Sequence, residues 1–209
     1  VTGVQTCALP IWQNDVVNGT TEAKAAAREW ADALNQHGWS APHWPKEYGG
    51  GGMTTMEQFI YKQEIALADA PTVGGQGISL LGPTVLVHGS EAQKARFLPK
   101  TLSGEYLWCQ GFSEPGAGSD LASLQCRAVK DGDEYVVNGQ KLWTSYAHKA
   151  NWVFGLFRTD PDAPKHRGIS FLLIDMQTPG VSVRPIVSMG WEHRTNETFY
   201  EDVRVPAGQ

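Results

Sequence analysis

Gln110-Gly111-Phe112-Ser113-Glu114-Pro115-Gly116-Ala117-Gly118-Ser119-Asp120 is the stretch on which the fold and the function turn. It follows an apolar, aromatic run, Tyr106–Phe112, and so reads as the exit of a strand. Its glycines permit close backbone approach and positive φ. Ser113 and Ser119 add hydroxyls that donate or accept. Clustered backbone N–H groups in such a turn suit an anion or the polar edge of a heteroaromatic ring. The spacing is not the G-x-G-x-x-G of a dinucleotide fold, and strands rather than a helix follow it. Taken alone, such a segment is more often a plain glycine-rich loop between two strands.

Downstream, short strand patterns follow one another without a helical period. Gln125–Lys130 alternates weakly, Asp131-Gly132 is a hairpin turn signal, and Glu134–Val137 is a strand. Asn138-Gly139 reads as a second turn and Lys141–Ser145 as a further strand, so that Trp143-Thr144-Ser145 ends a hairpin. Residues 151–158, 168–175, 181–187 and 198–205 complete the set. The expectation is an antiparallel β-barrel or sandwich. Trp143 offers a flat slab for a ring, and Thr144 and Ser145 offer hydroxyls and backbone groups beside it. By itself such a triplet is also an ordinary strand end.

Upstream, the pattern is helical. Thr20 and Thr21 open a run through Trp30 and Leu34 that Gly38 ends. Residues 39–52, with Gly49–Gly52 at their end, read as a flexible connector, because no strand precedes the glycines and no Lys-Ser/Thr follows them. Thr54 and Glu57 form a capping box for a helix carrying Phe59, Ile60, Ile65 and Leu67. An apolar helix over 78–88 and one capped by Ser90-Glu91 come next, with Gly104 closing the region. The fold class expected is therefore α+β: a helical domain over 12–105 and a β domain over 106–209.

Bulk properties agree with a folded chain. It has 209 residues, 41% hydrophobic and 19% charged, with a net charge of -5. A mildly acidic chain without Lys/Arg clusters gives no reason to expect nucleic acid. No apolar run nears the roughly 18 residues of a membrane span. Most of the eight Trp are expected in the core. Cys7, Cys109 and Cys126 show neither zinc spacing nor a disulfide framework, and Cys109 and Cys126 read as reduced thiols of a cytoplasmic protein. Residues 1–11 read as translated sequencing-adapter sequence joined to the true frame. The other end, 203–209, reads as cut before a further element. His43, His88, His148 and His193 are isolated and read as structural or solvated.

The order SEPGAGSD, then NGQKLWTS, then ANWVFGLFRTD resembles the acyl-CoA dehydrogenase family. Gln93–Gly104 is similar to that family's last N-terminal helix, and Asn196–Pro206 to the end of its middle domain. The resemblance implies a helical N-terminal domain, a β-barrel middle domain, and truncation before a C-terminal helical bundle. It implies FAD as cofactor. Gln110, Phe112 and Ser113 would line the ring, and Gly118 and Ser119 would sit where flavin and acyl-CoA meet, with Ser119 touching substrate or the pyrophosphate region. Trp143 would cover the ring, while Thr144 and Ser145 would bond its N5/O4 side. The family more often has Thr at the Ser113 position and Ile-Thr at Thr144-Ser145.

The implied reaction is α,β-dehydrogenation of an acyl-CoA in fatty-acid metabolism. The catalytic base is expected in the missing C-terminal domain, so no catalytic residue is assigned. Glu114, Glu64 and Asp69 are given structural roles, Glu114 that of orienting its loop. An electron-transfer flavoprotein is the implied acceptor, and the full-length protein is expected to be a homo-oligomer. A flavin oxidase or monooxygenase on the same scaffold, and a non-catalytic α+β binding module, are the alternatives. No metal site is expected.

Overall fold

The computed structural model describes residues 20–209. The expectations for residues 1–11 and for Cys7 lie outside the described residues. The chain divides into two compact units, the first ending at Tyr106 and the second beginning at Leu107.

The first unit is helical. Helix α1 spans Thr21–Gln36, with the Thr20 side chain accepting from the Ala23 N–H at its start. Helix α2, Thr55–Leu67, carries the expected capping box of Thr54 and Glu57. A π-helical turn, Gly77–Leu81, runs into α3, Gly82–His88, and α4 covers Glu91–Leu102 behind a second capping box of Ser90 and Gln93. The starts of α1, α2 and α4 follow from a hydroxyl that accepts an otherwise orphaned N–H of the first turn.

The Gly49–Gly52 stretch is not a flexible connector. The fully buried Trp44 donates its Nε1–H to the Ile78 carbonyl at 3.1 Å, and the glycines wrap its backbone. Gly52 N–H reaches the Trp44 carbonyl at 2.8 Å, and a Cβ on Gly50 would lie 2.2 Å from that same oxygen. Here glycine serves close packing, which composition alone does not distinguish from looseness. The tryptophans also divide differently from expectation. Among the described residues, Trp44, Trp108 and Trp152 are buried, whereas Trp39, Trp143 and Trp191 are exposed.

The second unit is a curled seven-stranded sheet: β1 Trp108–Gly111, β2 Arg127–Asp131, β3 Glu134–Lys141, β4 Trp152–Arg158, β5 Ile169–Asp175, β6 Val181–Val187 and β7 His193–Pro206. Its core gathers Cys109, Cys126, Val137, Val153, Phe157, Ile174, Tyr200 and Val203 on one face. The helical-then-β order is as expected, but the sheet is mixed rather than antiparallel. β1 pairs with Trp152–Gly155 of β4 in parallel, and β2 meets β4 in parallel at Arg127 and Arg158. β5 runs antiparallel along all of β4, which leaves β1 and β2 to share its other edge. The chain thus leaves the sheet at Gly111, makes its excursion through SEPGAGSD, and rejoins the same edge at Arg127. A sequence shows two strands separated by a loop; it does not show that both lie along a third strand arriving later.

The second turn expected at Asn138-Gly139 is absent. β3 runs unbroken to Lys141, and the partner strand β7 carries the irregularity. Val137 faces Val203 while Gly139 faces Tyr200, so β7 holds an extra residue. Asp202 takes a φ of 50° there and exchanges two 2.9 Å hydrogen bonds with the Asn138 amide. Gly139 has a φ of 143°, and a Cβ on it would lie 2.6 Å from the Cys126 Sγ. An Asn-Gly pair that commonly signals a turn here meets a bulge in the neighbouring strand. Consequently Lys141–Ser145 is not a separate strand: only Lys141 belongs to the sheet, and Trp143–Ser145 forms irregular backbone beyond it.

Candidate functional site

Alternation along β1 sends Cys109 and Gly111 toward the core and Trp108, Gln110 and Phe112 to the other face. That second face is aromatic. Trp108 meets Trp152 at 5.6 Å between ring centroids, Phe112 meets Phe154 edge-on at 5.9 Å, and Phe154 stacks on Phe171 at 5.8 Å. Gln110 therefore presents a half-buried amide from an apolar, rigid surface. Among the described residues that amide has no hydrogen-bond partner, and neither has the half-buried Ser113 hydroxyl.

Glu114 and Lys141 fasten this strand exit to the end of β3. Their charged atoms are 2.7 Å apart, with side chains 6% and 0% exposed. The Lys141 ammonium also donates to the Phe112 carbonyl at 3.3 Å and the Leu156 carbonyl at 2.6 Å. The Glu114 carboxylate accepts from the Gln125 and Cys126 N–H groups at 2.6 and 3.0 Å. One carboxylate thereby closes the base of the Phe112–Cys126 excursion, and the loop-orienting role expected for Glu114 is what its contacts describe. Arg158 secures the return, its guanidinium donating to the Ala122, Leu124 and Lys165 carbonyls.

The second predicted segment is joined to the first through backbone. Leu142 N–H donates to the Ser113 carbonyl at 2.8 Å, which brings Phe112-Ser113 alongside Leu142-Trp143. Trp143 is 59% exposed and has a φ of 61°; Tyr146 has a φ of 60°. Left-handed backbone at non-glycine residues is strained and persists only where neighbours hold it. Here Asn196 and Arg194 of β7 do so, accepting from Thr144 and Tyr146 N–H.

Thr144 and Ser145 differ. Thr144 is fully buried, both its backbone groups are bonded to Asn196, and its Oγ1 has no partner. Ser145 is half-buried, and its N–H and hydroxyl have no partner among the described residues. Of the two, Ser145 is the residue equipped to meet a ring.

Gly118 and Ser119 lie at the exposed far end of the excursion. No contact joins them to Trp143–Ser145; instead Asp120 ties that end to Lys165 and Ser123. The Lys165 ammonium holds the exposed Asp120 carboxyl below the usual carboxylate range, with Ser123 contributing. Neither Gly116 nor Gly118 has a positive φ, contrary to one reason given for glycine there, and a Cβ on either would enter open space. The backbone at Gly118 is thus accessible to a large ligand. A recess of about 400 Å³ beside the loop is lined by Glu114–Gly116, Ser123, Gln125, Cys126, Gly139 and Gln140, and includes none of the predicted ring-facing residues.

Sequence reasoning missed Lys141, Arg158 and Asn196. The signal for Lys141 was its place on the inward-facing phase of β3 while carrying a charge, with an acidic residue, Glu114, in the neighbouring motif. His148 and His193, read as isolated, are stacked at 3.8 Å and both bond Asn196. Cys109 and Cys126 are free and buried, and burial pushes both thiols up to about 12. Among the described residues there is no metal-binding cluster and no helix long and apolar enough to cross a membrane.

A helical unit followed by a curled mixed sheet, with unengaged polar groups on an aromatic face, defines the class to which this chain belongs. Residues 13–105 match the acyl-CoA dehydrogenase N-terminal domain and 109–203 the acyl-CoA dehydrogenase middle domain. The chain belongs to the acyl-CoA dehydrogenase family. It is 46% identical over 187 residues to acyl-CoA dehydrogenase IpdE1 of Mycobacterium tuberculosis, covering 89% of this chain and 49% of that protein. A chain of the ChsE4-ChsE5 complex from Mycobacterium tuberculosis is similar in structure, with a TM-score of 0.80 and 41% identity, covering 97% of this chain and 51% of that one. The Tcur3481-Tcur3483 steroid ACAD is similar at a TM-score of 0.77 and 42% identity, covering 87% and 47%. The chain spans about half the length of the relatives it matches.

Proposed function

We propose that the full-length protein is a FAD-dependent enzyme that dehydrogenates an acyl-CoA thioester across its α,β bond. The observation that most supports this is the division of the polar groups at the site. Glu114, Lys141 and the Thr144 backbone are spent on holding the frame, while Gln110, Ser113 and Ser145 keep donors and acceptors unengaged beside the exposed Trp143. Such fixed groups suit the polar edge of an isoalloxazine ring, with Phe112 and Trp143 supplying apolar contact. Bound FAD would accept the substrate's β-hydrogen as hydride.

Gly118 and Ser119 would meet the thioester, Gly118 by admitting it and Ser119 by offering a hydroxyl. Glu114 does not act as the base, because ammonium and backbone donors engage both its oxygens. The α-proton is taken by a carboxylate outside these residues. The likeness to a protein described as a steroid ACAD favours a bulky, ring-bearing acyl group as substrate. The acceptor is an electron-transfer flavoprotein, and likeness to a chain of the ChsE4-ChsE5 complex supports assembly into an oligomer. The free thiols favour a reducing compartment, the cytoplasm.

The test is anaerobic titration of the purified full-length protein with steroid-type and straight-chain acyl-CoA thioesters. A yellow protein that bleaches with a thioester supports the proposal, and faster bleaching with the steroid type supports that substrate. A protein that takes up no FAD sinks it. Rapid reoxidation by oxygen with peroxide release would mark an oxidase instead.

A further inference from the structure

Asn196 is fully buried on β7, and both polar atoms of its amide are hydrogen-bonded. Its Nδ2 donates to the Thr144 carbonyl at 2.9 Å and to His148 Nδ1 at 3.1 Å. Its Oδ1 lies 2.6 Å from His193 Nε2. Its own backbone carbonyl accepts the Thr144 N–H at 2.9 Å. Both peptide planes flanking Thr144 are therefore set by one residue, and the second of those planes carries the Ser145 N–H. The Thr144 carbonyl fixes the amide orientation, since only Nδ2 can donate to it. That in turn assigns the imidazoles: His148 Nδ1 must accept, and His193 Nε2 must donate.

One ring meets each polar atom of the amide, and the two rings stack on one another at 3.8 Å and 23°. His193 and the Lys149 ammonium both act on His148 to disfavour its protonated form. Arg194, on β7 next to His193, sits over the Tyr146 ring at 5.3 Å. A proton added to His148 would go to Nδ1, facing the hydrogens of the Asn196 amide, and would break that bond. Burial first, then the neighbouring His193 and Lys149, hold the His148 imidazole below its ordinary range.

We propose that Asn196, bracketed by His148 and His193, is the positioning residue that aims Ser145 at the cofactor ring, and that protonation of the bracket is read at that ring. Asn196 touches neither cofactor nor substrate; it acts through the Thr144-Ser145 peptide, whose strained approach from Trp143 would otherwise relax. The inference rests on the proposed flavin site.

The experiment compares FAD affinity, the shape of the visible flavin band and the flavin midpoint potential in the full-length wild type and in Asn196→Ala, His148→Leu and His148→Gln. Asn196→Ala is expected to weaken FAD binding about tenfold and to change band and potential. His148→Leu, which cannot accept from Asn196, is expected to weaken binding about threefold, while His148→Gln, whose side-chain oxygen can, stays at the wild-type value. Should Asn196→Ala not fold, the half-buried His148 pair decides the matter. In the wild type the band should move as the pH falls below the ordinary histidine value of 6.5, and in His148→Gln it should not. A colourless wild type would overturn the flavin reading itself. A yellow wild type with an Asn196→Ala band and affinity unchanged, or with His148→Leu and His148→Gln alike, would overturn this inference and leave the flavin reading standing.

Discussion

The Glu114 carboxylate and the Lys141 ammonium stand 2.7 Å apart out of water, one opening the glycine-rich excursion and the other closing β3. Through them the two segments that carry the candidate site are held in one frame. The pair takes further bonds from the Gln125 and Cys126 N–H groups and gives others to the Phe112 and Leu156 carbonyls, so each charge is solvated by protein. A buried pair so arranged owes its place less to net stability than to the geometry it imposes.

Removing either charge leaves the other buried without its counter-ion. Glu114→Gln and Lys141→Met should each destabilise the protein by about 3–5 kcal/mol, read from urea unfolding at neutral pH. Both should lose flavin as well. A loss below about 1 kcal/mol in both would mean that the pair is not the fastening described here.

Gly118→Ala separates ligand from fold. The residue has no positive φ and its Cβ would meet nothing, so unfolding free energy should stay within about 0.5 kcal/mol of wild type. Acyl-CoA affinity should nevertheless fall. Gly139→Ala behaves in the opposite way, its φ of 143° and the 2.6 Å approach to Cys126 Sγ making it destabilising by about 1–3 kcal/mol.

Cys109 and Cys126, with thiols pushed up to about 12, should resist a disulfide reagent at about pH 8 in the native protein and react fully once urea is added. A Cys7→Ser background removes the third thiol. Rapid labelling of either core cysteine without denaturant would contradict their burial.

Acid should loosen the Asn196 bracket. His148 titrates lower in the folded protein than unfolded, so the unfolded state binds more protons and stability rises with pH. The contribution is present above the unfolded value of 6.5 and is lost as the pH falls through the folded one. Stability curves of wild type and His148→Gln should therefore converge in shape above pH 6.5 and diverge below it, the wild type falling more steeply.

Much of this was legible in the residues, for local reasons. Thr54 with Glu57 and the Ser90 cap named their helix starts, because capping is settled within one turn of chain. The short strand patterns at 151–158 and 181–187 named β4 and β6 almost to the residue. What escaped was relational. Asn138-Gly139 was read as a turn because the irregularity it serves sits 64 residues away at Asp202. The sheet was taken as antiparallel because β1 and β2 lie along β4, which comes later in the chain. His148 and His193 were read as isolated because only the pairing of β7 with its neighbours brings them to one asparagine. Thr144 and Ser145 were given equal roles, and only the hydrogen bonds of the first show that it is committed to the frame.

We propose above all that the face made by Gln110–Ser113 and Trp143–Ser145 holds the flavin ring. A crystal structure of the full-length protein with FAD tests it directly. The ring should lie beside Trp143, with its polar edge within hydrogen-bonding distance of the Ser145 N–H and the Ser113 hydroxyl. A ring bound elsewhere, with Ser145 and Ser113 facing water, would contradict it.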